Sequence, residues 1–499
     1  MHYDAKPACD LERGHHMMHK DECHGWHAGE LTGAVQAVAN VLDAYVQDSQ
    51  KGKVPVLKQT PPERLINDLG MRNCIKSGGM TDDTLAAFVK EYLAQGTRLH
   101  HPGYMAHQCA VPDIGSAIAD LVHGVSNNAM SLFEMGAAGV AAELVVTEWM
   151  LGKVGWRPDE SGATLVHGGS LANLTALLVA RHHVFPEAWQ LGTPQNAVIL
   201  APENAHVSVA RAAAILGLGS RAVCALPCDR FGRIIGAQVS ESIRAHQRAG
   251  RTVMAVVANA CAAPTGLFDP LQEIAHACHK ESVWLHVDAA HGGSALIVPE
   301  LRNRLKGIDQ ADSITWDAHK MLRTSTLAAA VLVRTAADLS QAFQQSADYL
   351  FFDDNRPGPD LMHYTIEGSK AELGLKVFLN LAHRGEAGLT EYVHSRHRAA
   401  RRFWQLILER KEFDALSEPE SNLVCFRYAD MRGAESDRLH IAVRNELMQQ
   451  GTFHLASSFV DNRRWWRTTI MAPSTDDSTF SRLLDTLERT YRKLSRTTL

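Results

Sequence analysis

Two segments of this 499-residue chain carry the residue types with the most evident chemistry: 283–293 (VWLHVDAAHGG) holds Asp288, and 312–322 (DSITWDAHKML) holds Lys320, about 30 residues later. An unprotonated lysine amine can hold an aldehyde as a Schiff base. A carboxylate ending an apolar run is costly to bury unless a cation pairs with it, and a pyridinium nitrogen is such a cation. The pair therefore meets the needs of pyridoxal phosphate, whose ring accepts electrons when its nitrogen stays protonated. His319 is read as a phosphate contact, and Ala290 is small enough to let a flat ring lie against the backbone.

Upstream, His167-Gly168-Gly169-Ser170 follows an apolar run and opens a helix near Leu171, so free N–H groups and the helix dipole can meet an anion there. Read together, HVDAAHGG (286–293), WDAHK (316–320), GGSLANLTAL (168–177) and NAHVSVARA (204–212) resemble the group II pyridoxal-dependent amino-acid decarboxylases, from about Arg98 to the C-terminus. The resemblance implies a fold-type-I α/β subunit, a mostly parallel seven-stranded sheet with a smaller C-terminal α+β domain. It implies Gly169 and Ser170 on the phosphate with Asn173 assisting, and His206 stacked on the ring. It also implies a homodimer whose N-terminal segment wraps the second subunit.

For the substrate, the resemblance points to 100–108 (HHPGYMAHQ), with His101, Tyr104, His107 and Gln108. Arg467 falls where members acting on acidic substrates place a carboxylate-holding arginine; a structural ion pair is the alternative. The stretch 348–364 matches a loop that closes over the site, and Tyr364 is the candidate proton donor that replaces carbon dioxide. Lys320 needs a lowered pKa, expected from desolvation and positive neighbours. Three departures stand out: Asp317 where many relatives have asparagine, Cys261-Ala262-Ala263 in place of Gly-Thr-Thr, and a 130–141 stretch without its usual proline.

Short, nearly continuous apolar runs at 163–167, 197–201, 222–226, 253–259, 283–288, 313–316 and 328–334 predict strands covered on both faces. Gly168, Asp288 and Lys320 fall at or just past the ends of three of them, where ligands of α/β sheets sit. Helical periodicity predicts helices at 31–46 and, after the cap Thr81, at 81–93, with a proline-rich connector at 51–62. A long helix at 386–410, a strand at 423–428, a helix at 437–449, a strand at 466–471 and a last helix follow. The expected division is a His-rich tail (1–30), a helical dimerisation segment (31–100), a large cofactor domain (101–385) and a small domain (386–499).

A hydrophobic fraction of 45% and a net charge of -5 with dispersed basic residues fit an enzyme of small ligands and argue against nucleic acid. Nine scattered cysteines without a signal peptide point to a reducing, cytoplasmic setting, and no apolar run reaches the ~20 residues of a membrane span. Cys224 and Cys228 lack a second pair, so no zinc is assigned. His2, His15, His16, His19 and His24 with Cys9 and Cys23 match no ligand frame and are read as a solvated tail without metal. The expected activity is loss of the α-carboxylate of an L-amino acid, small polar or acidic, to give the amine. The alternatives are an aldehyde-forming decarboxylase, a carbon-carbon lyase, or an inactive pyridoxal-binding scaffold.

Overall fold

A computed structural model describes residues 29–343, 357–429 and 433–498. The described residues fall into two compact units, one drawn from Met1–Met105, Arg438–Leu455 and Ala472–Leu499, the other from Ala106–Asp437 and Ala456–Met471. The His-rich 1–28 lies outside the described residues.

In the first unit the predicted helices are Glu30–Gln50 and Asp82–Gln95, packed on each other. Thr81 caps the second as expected: its side chain accepts from Thr84 N–H, while Thr84 Oγ1 accepts from Thr81 N–H at 2.8 Å. Two short helices, Pro62–Asp68 and Met71–Ser77, were not expected, because seven residues are too few to display a period. Strand β1 (Tyr104–Met105) pairs in parallel with His454 and Leu455. The last helix, Asp477–Thr498, ends the unit.

The second unit holds the expected seven-stranded sheet: β2 (Gly162–Val166), β3 (Ala197–Ala201), β4 (Val223–Ala225), β5 (Thr252–Asn259), β6 (Trp284–Asp288), β7 (Ser313–Asp317) and β8 (Ala329–Val333). Their spatial order is β2-β8-β7-β6-β5-β3-β4; β3 to β7 run parallel, and β8 runs against both its neighbours. The central strands are buried along almost their whole length, which is why the sequence shows continuous rather than alternating hydrophobicity. The Gly169–Val184 helix, buried from Ala172 to Arg181, packs on β7 and β8. Because β2 lies against β8 and β8 against β7, the carboxyl ends of β2, β6 and β7 share one edge.

The same unit contains β9 (Phe413–Ala415), β10 (Leu423–Tyr428), β11 (His454–Val460, here from Ala456) and β12 (Arg463–Thr469), all antiparallel neighbours. The strand expected at 466–471 starts earlier, at Arg463. Asp461 and Asn462, both at positive φ, form a two-residue turn that pairs Val460 with Arg463, and the polar start of β12 hides it from an apolar-run reading. The helix expected at 386–410 is the second part of Leu373–Leu408, interrupted at Gly385 (φ 68°, ψ 165°).

The boundary expected at 385/386 is not where the compact units part. Residues 386–437 belong with the large sheet, since Leu389, Tyr392, Val393 and Phe403 are buried there and Tyr392 Oη donates to Met471 O at 2.9 Å. No described helix is long and apolar enough to cross a membrane.

Candidate active site

The shared edge of β2, β6 and β7 opens on a cavity of about 370 Å³. Gly169, Ser170, Asn173, His206, Asp288, Ala290, His319 and Lys320, which the sequence singled out from four separate stretches, all line it. Each sits at a strand end or in the turn or helix that follows, where a parallel sheet leaves its ligand crevice.

At one end the Gly169–Val184 helix begins after Gly168, whose φ of 99° favours glycine, and no side chain caps its first turn. Asp317 stands against this turn: a Cβ on Gly169 would lie 2.7 Å from its Oδ2. His319 donates from Nδ1 to Ala328 O at 2.7 Å, and His167 pairs with Glu367.

Asp288 lies at the other end, in a chain of hydrogen bonds with a fixed direction. Trp284 can only donate, and its indole N–H reaches Ser313 Oγ at 2.9 Å. The Ser313 hydroxyl is left to donate to His286 Nδ1 (2.9 Å), so His286 donates from Nε2 to Asn173 Oδ1 (3.1 Å). Asn173 Nδ2 then donates to both Asp288 Oδ2 and Ser208 Oγ, each at 2.8 Å. Ser208 in turn gives its proton to His206 Nδ1 (2.7 Å), leaving the His206 proton on Nε2. Burial pushes His286 down to about pKa 4 against the pull of Asp288, so it stands neutral. Asp288 is thus hydrogen-bonded by neutral donors, Asn173 and the Ala290 N–H (3.2 Å), and its charge is kept for a cation. Asn173 serves Asp288 rather than the phosphate turn expected of it.

Lys320 departs from expectation. Its Nζ lies 3.1 Å from Asp317 Oδ2; burial would lower its pKa, but Asp317 and then Asp288 outweigh burial and hold it above the ordinary lysine value. Its neighbours are acidic, not positive. Near it, burial pushes the Cys261 thiol up to about pKa 12.

Of the expected substrate residues, Gln108 lines the cavity and His107 is exposed. His101 and Tyr104 are buried in the first unit, His101 Nδ1 accepting from Gly103 N–H at 2.8 Å and the Tyr104 ring lying edge-on to His454. Arg467 donates to the main-chain carbonyls of Ala263 (2.7 Å) and Ala106 (3.2 Å) and does not line the cavity. Tyr364 ends a turn at Leu361–Tyr364, packs half-buried on apolar residues and lines a different cavity with Leu144, Thr147 and Pro359. The 348–356 part of the expected loop lies outside the described residues.

Sequence reasoning missed His286, Ser208 and His291. The first was legible in principle, since alternate strand residues share a face and His286 is two before Asp288. His291 lies within HVDAAHGG itself: Nε2 is 2.6 Å from Asn422 Oδ1, and burial, followed by Lys320, pushes it down to about pKa 3.

The residues fit a phosphorylated pyridine aldehyde: an uncapped helix start for phosphate, a carboxylate held by neutral donors for a pyridinium, and an amine for the aldehyde. Two buried polar atoms of cavity-lining residues, Asp317 Oδ1 and Gln108 Nε2, have no hydrogen-bond partner among the described residues, which agrees with a polar occupant. A sequence model of the pyridoxal-dependent decarboxylase conserved domain matches residues 81–429. The acidic amino acid decarboxylase GADL1 of Homo sapiens is 28% identical over 91% of this chain and 89% of its own length. The crystal structure of mouse CSAD superposes with a TM-score of 0.86 at 22% identity, over 93% of this chain and 99% of that one. That of Oryza sativa TDC with PLP and tryptamine gives 0.85 at 20% identity, over 94% and 99%. The chain belongs to the group II pyridoxal-dependent amino-acid decarboxylases, carboxy-lyases of fold type I whose cofactor is pyridoxal 5'-phosphate.

Proposed function

We propose that this enzyme removes the α-carboxylate of an L-amino acid with a small polar or acidic side chain and releases the amine. The convergence of Lys320, Asp288 and His206 on one cavity carries the reading. Pyridoxal phosphate, when bound, supplies the ring that accepts the electrons left by the departing carboxylate. The chain does the rest. Lys320 is the amine that holds the aldehyde, and Asp317 Oδ2 at 3.1 Å is the adjacent acceptor for the proton it must lose. Asp288 keeps the pyridine nitrogen protonated. Its neighbour Asn173 fixes the carboxylate and, through Ser208, the tautomer of His206, whose Nε2–H is the donor left for the reacting groups.

Gln108, Asn259 and the neutral His291 give the cavity uncharged polar walls, which supports a small polar side chain; the name of the GADL1 relative supports an acidic one. Among the described residues no arginine lines the cavity. The test is the holoenzyme with the standard and several non-protein amino acids, following carbon dioxide, amine, aldehyde and peroxide. Fastest release with small polar or acidic substrates and equal amine is the expected result. An aromatic preference, or aldehyde with peroxide, would refute it.

The enzyme acts as a homodimer in this reading. The Ile114–Ser126 helix exposes Ile114, Ile118, Leu121, Val122 and Val125 along one stripe, and Ile114 is 52% exposed, an apolar face that a second copy would cover. Sedimentation should give twice the chain mass, and Leu121→Asp should lower it.

A further inference from the structure

We propose that His291 is a specificity-determining residue: its Nδ1 is a fixed acceptor in the wall of the Lys320 cavity, selecting an amino acid whose side chain ends in a hydrogen-bond donor, a carboxamide or a hydroxyl, over one that ends in a carboxylate. The inference rests on the decarboxylase reading above and narrows its substrate class. His291 follows β6 and is 3% exposed. Its proton is placed from outside the cavity. Asn422 Nδ2 donates to Ile470 O at 3.1 Å, so Asn422 Oδ1 is left to accept, and His291 Nε2 donates to it at 2.6 Å. Burial, followed by Lys320, keeps the ring neutral. It therefore carries its proton on Nε2 and a lone pair on Nδ1. That nitrogen is buried and has no hydrogen-bond partner among the described residues. Asn422 lines a separate cavity of about 20 Å³ while His291 borders both, so the ring stands in the wall between them with Nε2 committed to the smaller.

A buried acceptor without a partner is costly, and a ligand that donates to it removes the cost. Elsewhere on the wall, Gln108 Nε2 is a donor without a partner. A carboxamide offers an N–H and a carbonyl, and a hydroxyl both donates and accepts, so either has what the two unfilled groups require. A carboxylate only accepts. It would set lone pairs against Nδ1 in a cavity that already holds Asp288 and Asp317, and whose one lysine or arginine among the described residues, Lys320, is occupied in holding the aldehyde. A site with a buried polar group rejects the analogue that leaves it unpaired far more strongly than it rejects a change of size.

The test uses the holoenzyme and isosteric pairs, asparagine against aspartate and glutamine against glutamate, following carbon dioxide. In at least one pair kcat/KM should favour the carboxamide by about 10²-fold. His291→Leu should bring that ratio to within about threefold, by loss on the carboxamide member. His291→Gln, which retains an acceptor, should keep a ratio of about tenfold. Asn422→Leu leaves the ring in place but removes the group that fixes its tautomer, and should lower the ratio about tenfold. A packing role alone would lower both members equally and leave the ratio unmoved. Equal rates within both pairs, faster release from the acidic members, or an unchanged ratio in His291→Leu would overturn the inference and leave the decarboxylase reading standing. Release from aromatic amino acids alone would refute that reading and the inference with it.

Discussion

Asn173 and Asp288 lie 115 residues apart, yet Asn173 Nδ2 stands 2.8 Å from Asp288 Oδ2 with its own Oδ1 held by His286. The amide therefore cannot turn without breaking a buried bond, and the carboxylate is aimed before any ligand arrives. Asp288→Asn should retain cofactor but lose about 10²- to 10³-fold in kcat, because a neutral amide cannot hold the ring nitrogen protonated. Asn173→Ala should lose about tenfold, as an indirect effect on orientation. Near-normal kcat in Asp288→Asn would show that another group protonates the ring.

Ser208→Ala tests the direction of the same chain. It removes the hydroxyl donor to His206 Nδ1 and leaves only the longer contact from the Ser208 N–H, at 3.3 Å, to hold the tautomer. Turnover should fall about tenfold while cofactor affinity changes by less than about threefold, since packing of the ring is untouched. Equal losses in both would mean that Ser208 only supports the Val207–Ile215 helix.

The central strands of the large sheet were legible because burial on both faces writes itself as apolar runs. The cavity was legible because its residues close those runs. The chain from Trp284 to His206 was not, since residues 173, 208, 286 and 313 meet only when β6 and β7 pair and the Gly169–Val184 helix lies over them. The acidic neighbourhood of Lys320 was in the sequence, three residues ahead, but not its direction: only the turn after β7 brings Asp317 back onto the amine. From sequence Arg467 reads as a carboxylate-holding arginine or as half of a structural ion pair, and the pairing of β12 between β10 and β11 turns it onto main-chain carbonyls.

His286 and His291, fully buried, have pKa values pushed down to about 4 and about 3. Between the unfolded histidine value near 6.5 and those values, the unfolded chain binds protons that the folded one does not, so stability is full above that value and falls as pH drops through the window. The slope should be about 1 kcal/mol per pH unit for each histidine. Urea unfolding at pH 7 and 5 should show it, and His291→Gln should flatten it by about half. An unchanged slope in that variant would mean that His291 takes its proton while folded.

Tyr364 does not line the Lys320 cavity of its own chain. If it serves a second subunit, Tyr364→Phe and Lys320→Ala subunits mixed in equal amounts should recover about a quarter of wild-type activity through mixed dimers. Mixed dimers without recovery would leave Tyr364 as a packing residue.

The central claim is that Lys320, in the cavity it shares with Asp288 and His206, is the residue that holds the cofactor. Borohydride reduction of the holoenzyme followed by peptide mapping tests this most directly. The account predicts a single fixed pyridoxyl group, on Lys320, and a folded, unlabelled, inactive Lys320→Ala. A label on another lysine, or none at all, would contradict it.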